Sequence, residues 1–122
     1  SICLYTLLMN QIVMKHKITL PQLKKYDITQ KVIEALADAE SRVIIFSIIR
    51  KGKTASNLST SLNIPLSSVY KKLSDLENLT LIQVEKTILS EKGRRFKVYR
   101  SRINKAEISI KKPEPTLLLS AN

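Results

Sequence analysis

Apolar residues recur along this chain at three different spacings, and each spacing predicts a different kind of element. Over residues 2–14 nearly every position is apolar, interrupted at Asn10 and Gln11. A stretch that is apolar all round suits a helix covered by another surface better than a free amphipathic helix. Residues 15–21 read as a connector. From Thr29, a candidate N-cap, the spacing turns helical: Val32, Ile33, Leu36 and Ala37 fall on one face. Asp38, Ala39, Glu40 and Ser41 mark a break or a continuation. A second apolar set, Val43, Ile44, Phe46, Ile48 and Ile49, closes at Arg50-Lys51-Gly52, where cations and a glycine suit a helix C-terminus.

The next stretch encodes two helices and a tight turn. Leu58 and Leu62, four residues apart, share a face of a short helix that Thr54 or Ser56 can cap. Asn63 tolerates the left-handed conformation that a tight turn needs. Pro65 discourages Ile64 from continuing that helix and fits the first turn of the following one. This following helix, over residues 66–79, turns Val69, Leu73 and Leu76 toward the body. Its other side presents Ser67, Ser68, Lys71, Lys72 and Asp75, with Tyr70 at the border.

After Leu79 the period drops to about 2, the spacing of strands. A strand over residues 81–89, a turn over 90–93 containing Gly93, and a strand over 94–103 predict a hairpin. In its second strand Phe96 and Val98 share a face, yet Tyr99 is an equally good core residue, so the register stays open. Ala106, Ile108 and Ile110 alternate with Glu107 and Ser109, which predicts a further short strand ended by Pro113 and Pro115. Residues 116–122 read as a tail whose Leu117-Leu118-Leu119 would dock or aggregate if exposed.

Charge moves the question from fold to partner. The 122 residues carry 21 Lys and Arg against 10 Asp and Glu, a formal net charge of +11. An excess of that size on one small domain favours a polyanionic partner. It is also local. Residues 86–102 hold Lys86, Lys92, Arg94, Arg95, Lys97, Arg100 and Arg102 against Glu91 alone.

Other chemistries find little support. A single cysteine, Cys3, excludes an intramolecular disulfide and any multi-cysteine zinc site. His16 is the only histidine and lies between Lys15 and Lys17, so no metal and no cofactor are expected. There is no Gly-rich phosphate loop, no His-Glu-x-x-His and no nucleophile elbow, and the carboxylates are scattered, so no enzyme is expected. The apolar run is shorter than the ~20 residues that span a bilayer and lacks the basic lead of a secretory signal. No membrane partner is expected, and the expected location is the cytoplasm.

Three motifs carry a resemblance to a known family. Leu62-Asn63-Ile64-Pro65, Ser68-Val69-Tyr70 and Leu76-Glu77-Asn78-Leu79-Thr80-Leu81-Ile82 look like the turn, the recognition segment and the helix-to-wing joint of winged helix-turn-helix transcription regulators. The resemblance is to the ArsR, MarR and TrmB-like types and covers Thr29 to Arg102. It implies an α+β, mainly α fold: a winged helix-turn-helix with a β-hairpin wing, here with an extra N-terminal apolar segment. Residues 1–28 would then be that segment and its connector, 29–103 the DNA-binding domain, and 104–122 a short strand and tail.

Two positions depart from the family pattern, because Asn63 and Thr80 stand where the family has glycine. A β-branched residue in the left-handed region costs roughly 1 kcal/mol or more. Either the helix ends differently at Thr80, or its last carbonyls are satisfied another way. The paired cysteines of ArsR metal sensors are also absent.

The resemblance implies double-stranded DNA as partner. A helix fits the major groove, and Ser67, Ser68, Tyr70 and Lys71 are the exposed positions of its first half. Lys72 is expected on phosphate. Lys92, Arg94 and Arg95 cluster at the wing turn, with Lys97 beside them, where Arg can enter a narrow minor groove and Lys can track the backbone. One small module reads few base pairs, so a homodimer is expected, with residues 2–14 and Leu117–Leu119 as its apolar surface. Packing within the chain is the other expectation for these segments. The alternative function is a winged-helix protein-interaction module, an accessory factor of the transcription or RNA machinery.

Overall fold

A computed structural model describes residues 20–111, 113 and 115–122, with side chains from Ile28 onward. Residues 2–14, Cys3 and His16 therefore lie outside the described residues. The first helix, α1 (Leu20–Ala37), starts well before the predicted cap at Thr29. Pro21 sits in its first turn, where a missing N–H costs nothing. Thr29 is instead buried inside the helix.

The break falls at Asp38 alone, with Ala39, Glu40 and Ser41 already in the next helix, and both helix ends that meet there are capped. Asp38 is extended and N-caps α2 (Ala39–Ser47), accepting from the Ser41 N–H at 3.0 Å and the Ser41 hydroxyl at 2.7 Å. Arg42 Nη1 donates to the carbonyls of Leu36 and Ala37, both at 2.8 Å, and so covers the open end of α1. In α2 the buried apolar residues are Ile44 and Ile45, followed by Ile48 at its end; Phe46 is 78% exposed. Two residues along a helix turn the side chain by roughly 200°, which carries Phe46 away from the side of Ile44.

α2 also stops earlier than its apolar pattern suggests, at Ser47. Gly52 serves a different purpose from ending it. A Cβ there would lie 2.7 Å from Val98 Cγ1 and 3.1 Å from the Tyr99 carbonyl, so the absence of a side chain lets this loop lie against residues 98 and 99. Lys53 pairs with Tyr99 through both backbone bonds, at 3.0 and 2.8 Å.

α3 (Ala55–Leu62) is capped by Thr54, whose hydroxyl oxygen accepts from the Asn57 N–H at 3.2 Å. It ends at Asn63, with φ 55° and ψ 45°, as the sequence predicts. The Ile64 N–H folds back to the Ser59 carbonyl at 3.1 Å, and the Ser59 hydroxyl donates to the Ile64 carbonyl at 2.6 Å. This short clasp fixes the angle at which α4 (Leu66–Asn78) leaves. Val69, Leu73 and Leu76 on α4 are at most 1% exposed, each burial contributing roughly 1.5–3 kcal/mol.

Thr80 resolves the question its sequence position raises. Its φ is 62°, the Thr80 N–H donates to Glu77 O at 2.9 Å, and the Leu81 N–H donates to Leu76 O at 3.0 Å. These are the two bonds of a Schellman ending, made with threonine in the place of glycine. The cost of that conformation is about 1–3 kcal/mol. Burial of Leu76 and Leu81 on either side holds it.

Strands β1 (Ile82–Leu89) and β2 (Arg95–Ser101) form an antiparallel hairpin running from Ile82↔Ser101 to Leu89↔Arg95, with a bulge between Val84 and Lys86. The open register is explained by burial on both sides. Tyr99 belongs to the helical core, and Val98 packs where the Gly52 loop lies across the strand. A second antiparallel hairpin follows, β3 (Ile103–Ser109) with β4 (Thr116–Ala121). The predicted tail is thus a strand. Its alternation sends Leu117 and Leu119 into the core at 0% and 1% exposure, while Leu118 faces out. For Leu117 and Leu119 the packing is within the chain.

Candidate nucleic-acid interface

The outward side of α4 carries Ser67, Tyr70 and Lys71 as exposed residues and Ser68 as a half-buried one. Val69, Leu73 and Leu76 face the opposite way, so the helical period itself separates the two groups. Pro65 precedes the helix and offers no side-chain cap. The first-turn N–H groups therefore keep their partial positive charge uncovered by any side-chain cap, which suits an approaching anion.

Lys72 does not belong to this surface. Its ammonium is 2.7 Å from Asp38 Oδ2 and 3.6 Å from Glu40 Oε1, so it ties α4 to the cap of α2 instead of reaching for phosphate. Sequence alone does not show this, because the partners are more than thirty residues away. The hydrogen bond to Asp38 raises the ionisation of Lys72 above its ordinary value. Reciprocally, the Asp38 carboxyl falls from 3.8 to about 2, held there first by Lys72 and then by the Ser41 hydroxyl and N–H.

A pH dependence follows. A carboxyl more acidic in the folded state than in the unfolded one stabilises the fold fully above about pH 5 and loses that contribution as pH falls toward ~2. Asp38→Asn keeps a capping oxygen. Its urea midpoint should therefore fall less than that of the wild type between about pH 5 and 2. Parallel pH profiles for the two would show that the ionised Asp38 carboxylate does not stabilise the fold.

The wing turn is built by Ser90 and Gly93. The Ser90 N–H donates to Arg94 O at 2.8 Å, the Arg94 N–H donates to Ser90 Oγ at 3.0 Å, and Gly93 takes φ 80°. Lys92, Arg94, Arg95 and Lys97 are all exposed, and none of them forms an ion pair among the described residues. Arg100, part of the same basic stretch, is used internally. Its Nε donates to Ile49 O and its Nη1 to Glu85 Oε2, both at 2.9 Å, which fastens the base of the wing to the end of α2. The outward charge of the hairpin is smaller than its composition suggests, and it is concentrated at the tip.

Strand alternation places Arg95, Lys97 and Tyr99 on one face of β2. With Tyr70 of α4 and with Thr54 and Ser56 at the start of α3, these residues line a cleft of about 270 Å³. Helix face and wing thus meet in one surface. By sequence, Thr54 and Ser56 are candidates only for capping, and Tyr99 only for the core. The spacing of two from Arg95 through Lys97 to Tyr99 is the signal that could have drawn Tyr99 into the site.

A tight turn joining α3 to α4, with a two-stranded hairpin directly after α4, makes this a winged helix-turn-helix fold, α+β in class. The backbone is similar to that of NolR from Sinorhizobium fredii, with a TM-score of 0.54 over 71% of this chain and 81% of that chain, at 16% identity. No protein-family model and no curated protein matches the sequence. Among the described residues no helix is long and apolar enough to cross a membrane, and no cluster of three or more His, Cys, Asp or Glu side chains could hold a metal ion.

Proposed function

We propose that this chain is a transcription regulator that binds double-stranded DNA, with α4 in the major groove and the β1–β2 wing against the flanking backbone, acting as a homodimer. The observation that carries the reading is the junction of two surfaces. The exposed face of α4 adjoins a wing whose Lys92, Arg94, Arg95 and Lys97 have no acidic partner among the described residues. Ser67, Ser68, Tyr70 and Lys71 take base-edge and phosphate contacts, and the wing cations take phosphate and minor groove. Leu117 and Leu119 are enclosed in the core, so pairing of two copies rests on residues 2–14 and on apolar groups still exposed, Phe46 first among them.

A protein-interaction module is the second reading, and exposed Phe46 is the observation that favours it. The test is a salt titration of duplex binding with the stoichiometry read by sedimentation. The expected result is two chains per duplex and log affinity falling with log salt at a slope of several units. A folded chain with no duplex binding at about 50 mM salt would sink the DNA reading in favour of the second.

A further inference from the structure

We propose that the cleft between the first turn of α3, Tyr70 and β2 is a seat for one phosphate-type oxyanion, with the Tyr99 hydroxyl among its donors. Tyr99 lines this cleft, is only 6% exposed, and its hydroxyl makes no hydrogen bond among the described residues. A buried phenol ordinarily has a hydrogen-bond partner, so this one is poised for a partner that arrives from outside. Burial first, and then the charges of Glu77 and Tyr70, push its ionisation above the ordinary phenol value, so it stays protonated and able to donate. Glu77 itself does not line the cleft.

The other groups select an anion. Arg95 and Lys97 are cations from the same strand face, and no carboxylate stands among the lining residues. Ser56 contributes a hydroxyl. The Thr54 oxygen accepts from the Asn57 N–H, and its own proton remains free to donate. The positive end of α3 opens at the same place. A volume of about 270 Å³ accommodates a phosphate group. Because its walls come from α3, α4 and the wing together, an occupied seat fixes these three elements in one register on the ligand.

The natural occupant is a backbone phosphodiester, an assignment that rests on the DNA-binding reading; free inorganic phosphate shares the chemistry. The experiment compares the full-length wild type with Tyr99→Phe, which removes only the hydroxyl. Two probes are used: a random-sequence duplex, since backbone phosphate is common to every sequence, and inorganic phosphate against chloride at equal ionic strength. Tyr99→Phe should weaken duplex binding about tenfold, the loss of one hydrogen bond to a charged group. Its salt slope should be unchanged because no charge is removed. Its unfolding midpoint should not fall, because an unpartnered buried hydroxyl has been deleted.

If inorganic phosphate raises the unfolding midpoint of the wild type and not of Tyr99→Phe, the seat is supported with a free anion as a second source. If only duplex binding responds to the substitution, the seat is supported as a backbone site. A wild type that binds duplex while Tyr99→Phe binds within about twofold and responds identically to phosphate overturns the seat and leaves the DNA reading standing. Absence of duplex binding together with a Tyr99-dependent phosphate effect does the reverse.

Discussion

Changing Lys92, Arg94 and Arg95 together to alanine should make the salt dependence of duplex binding shallower by about 2–3 units of slope, close to one unit for each phosphate no longer neutralised. At ~0.1 M salt that corresponds to a weakening on the order of a hundredfold, the same for every sequence. The reason is geometric. Lys92 and Arg94 project from a turn whose shape is set by Ser90 and Gly93, and Arg95 is the exposed first residue of β2, so truncating them leaves the turn, the hairpin register and the core intact. The unfolding midpoint should accordingly stay where it is. Ser68→Ala and Tyr70→Ala act differently, because they alter the face of α4 and should change which sequences are preferred. Fluorescence anisotropy against a set of duplexes across a range of salt separates the two effects. If both groups of variants shift affinity uniformly and by similar slopes, the division between a reading helix and a positioning wing is wrong.

Leu117→Ala should cost about 3 kcal/mol of stability, within the range for leucine truncation in a closed core. Leu118→Ala, one residue along, should change stability by less than about 0.5 kcal/mol. The contrast arises from strand alternation alone. Leu117 is fully buried among residues of the helices and Leu81, whereas Leu118 is 42% exposed on the other face of β4. Urea unfolding measures both. Equal and small effects would mean that residues 116–122 do not complete the core but hang from it. A loss of about 3 kcal/mol would instead lower the thermal midpoint by on the order of 10 °C in a domain of this size.

The parts of this molecule written in its sequence are those governed by neighbours along the chain. Asn63 and Pro65 specify the turn between α3 and α4 through local backbone preference, and the spacing of Val69, Leu73 and Leu76 specifies which side of α4 is buried. Gly93 and Ser90 specify the wing turn in the same way. What sequence could not reveal was fixed by distant partners. Lys72 resembles any other exposed lysine until Asp38 is brought to it. Arg100 is one more basic residue until Glu85 and the Ile49 carbonyl engage it. Phe46 reads as core by hydrophobicity and is turned outward by helical phase. Leu117 and Leu119 read as tail because a six-residue strand after two prolines has no local signal of its pairing with β3. Of the candidate site, the helix face and wing tip were legible, and the cleft joining them was not, because it exists only where three separated segments converge.

Threonine at position 80 has a consequence for how α4 and the wing can adjust relative to each other. A glycine at this joint would sample a broad range of backbone angles, whereas a β-branched residue in the left-handed region occupies one narrow well. The angle between α4 and β1 is therefore stiff. On the proposed DNA-binding reading, a joint held this way would leave the bending to the duplex, whose compliance varies with its base steps. Base pairs lying between the groove entered by α4 and the backbone met by the wing would then be selected by how readily they deform, without any side chain touching them.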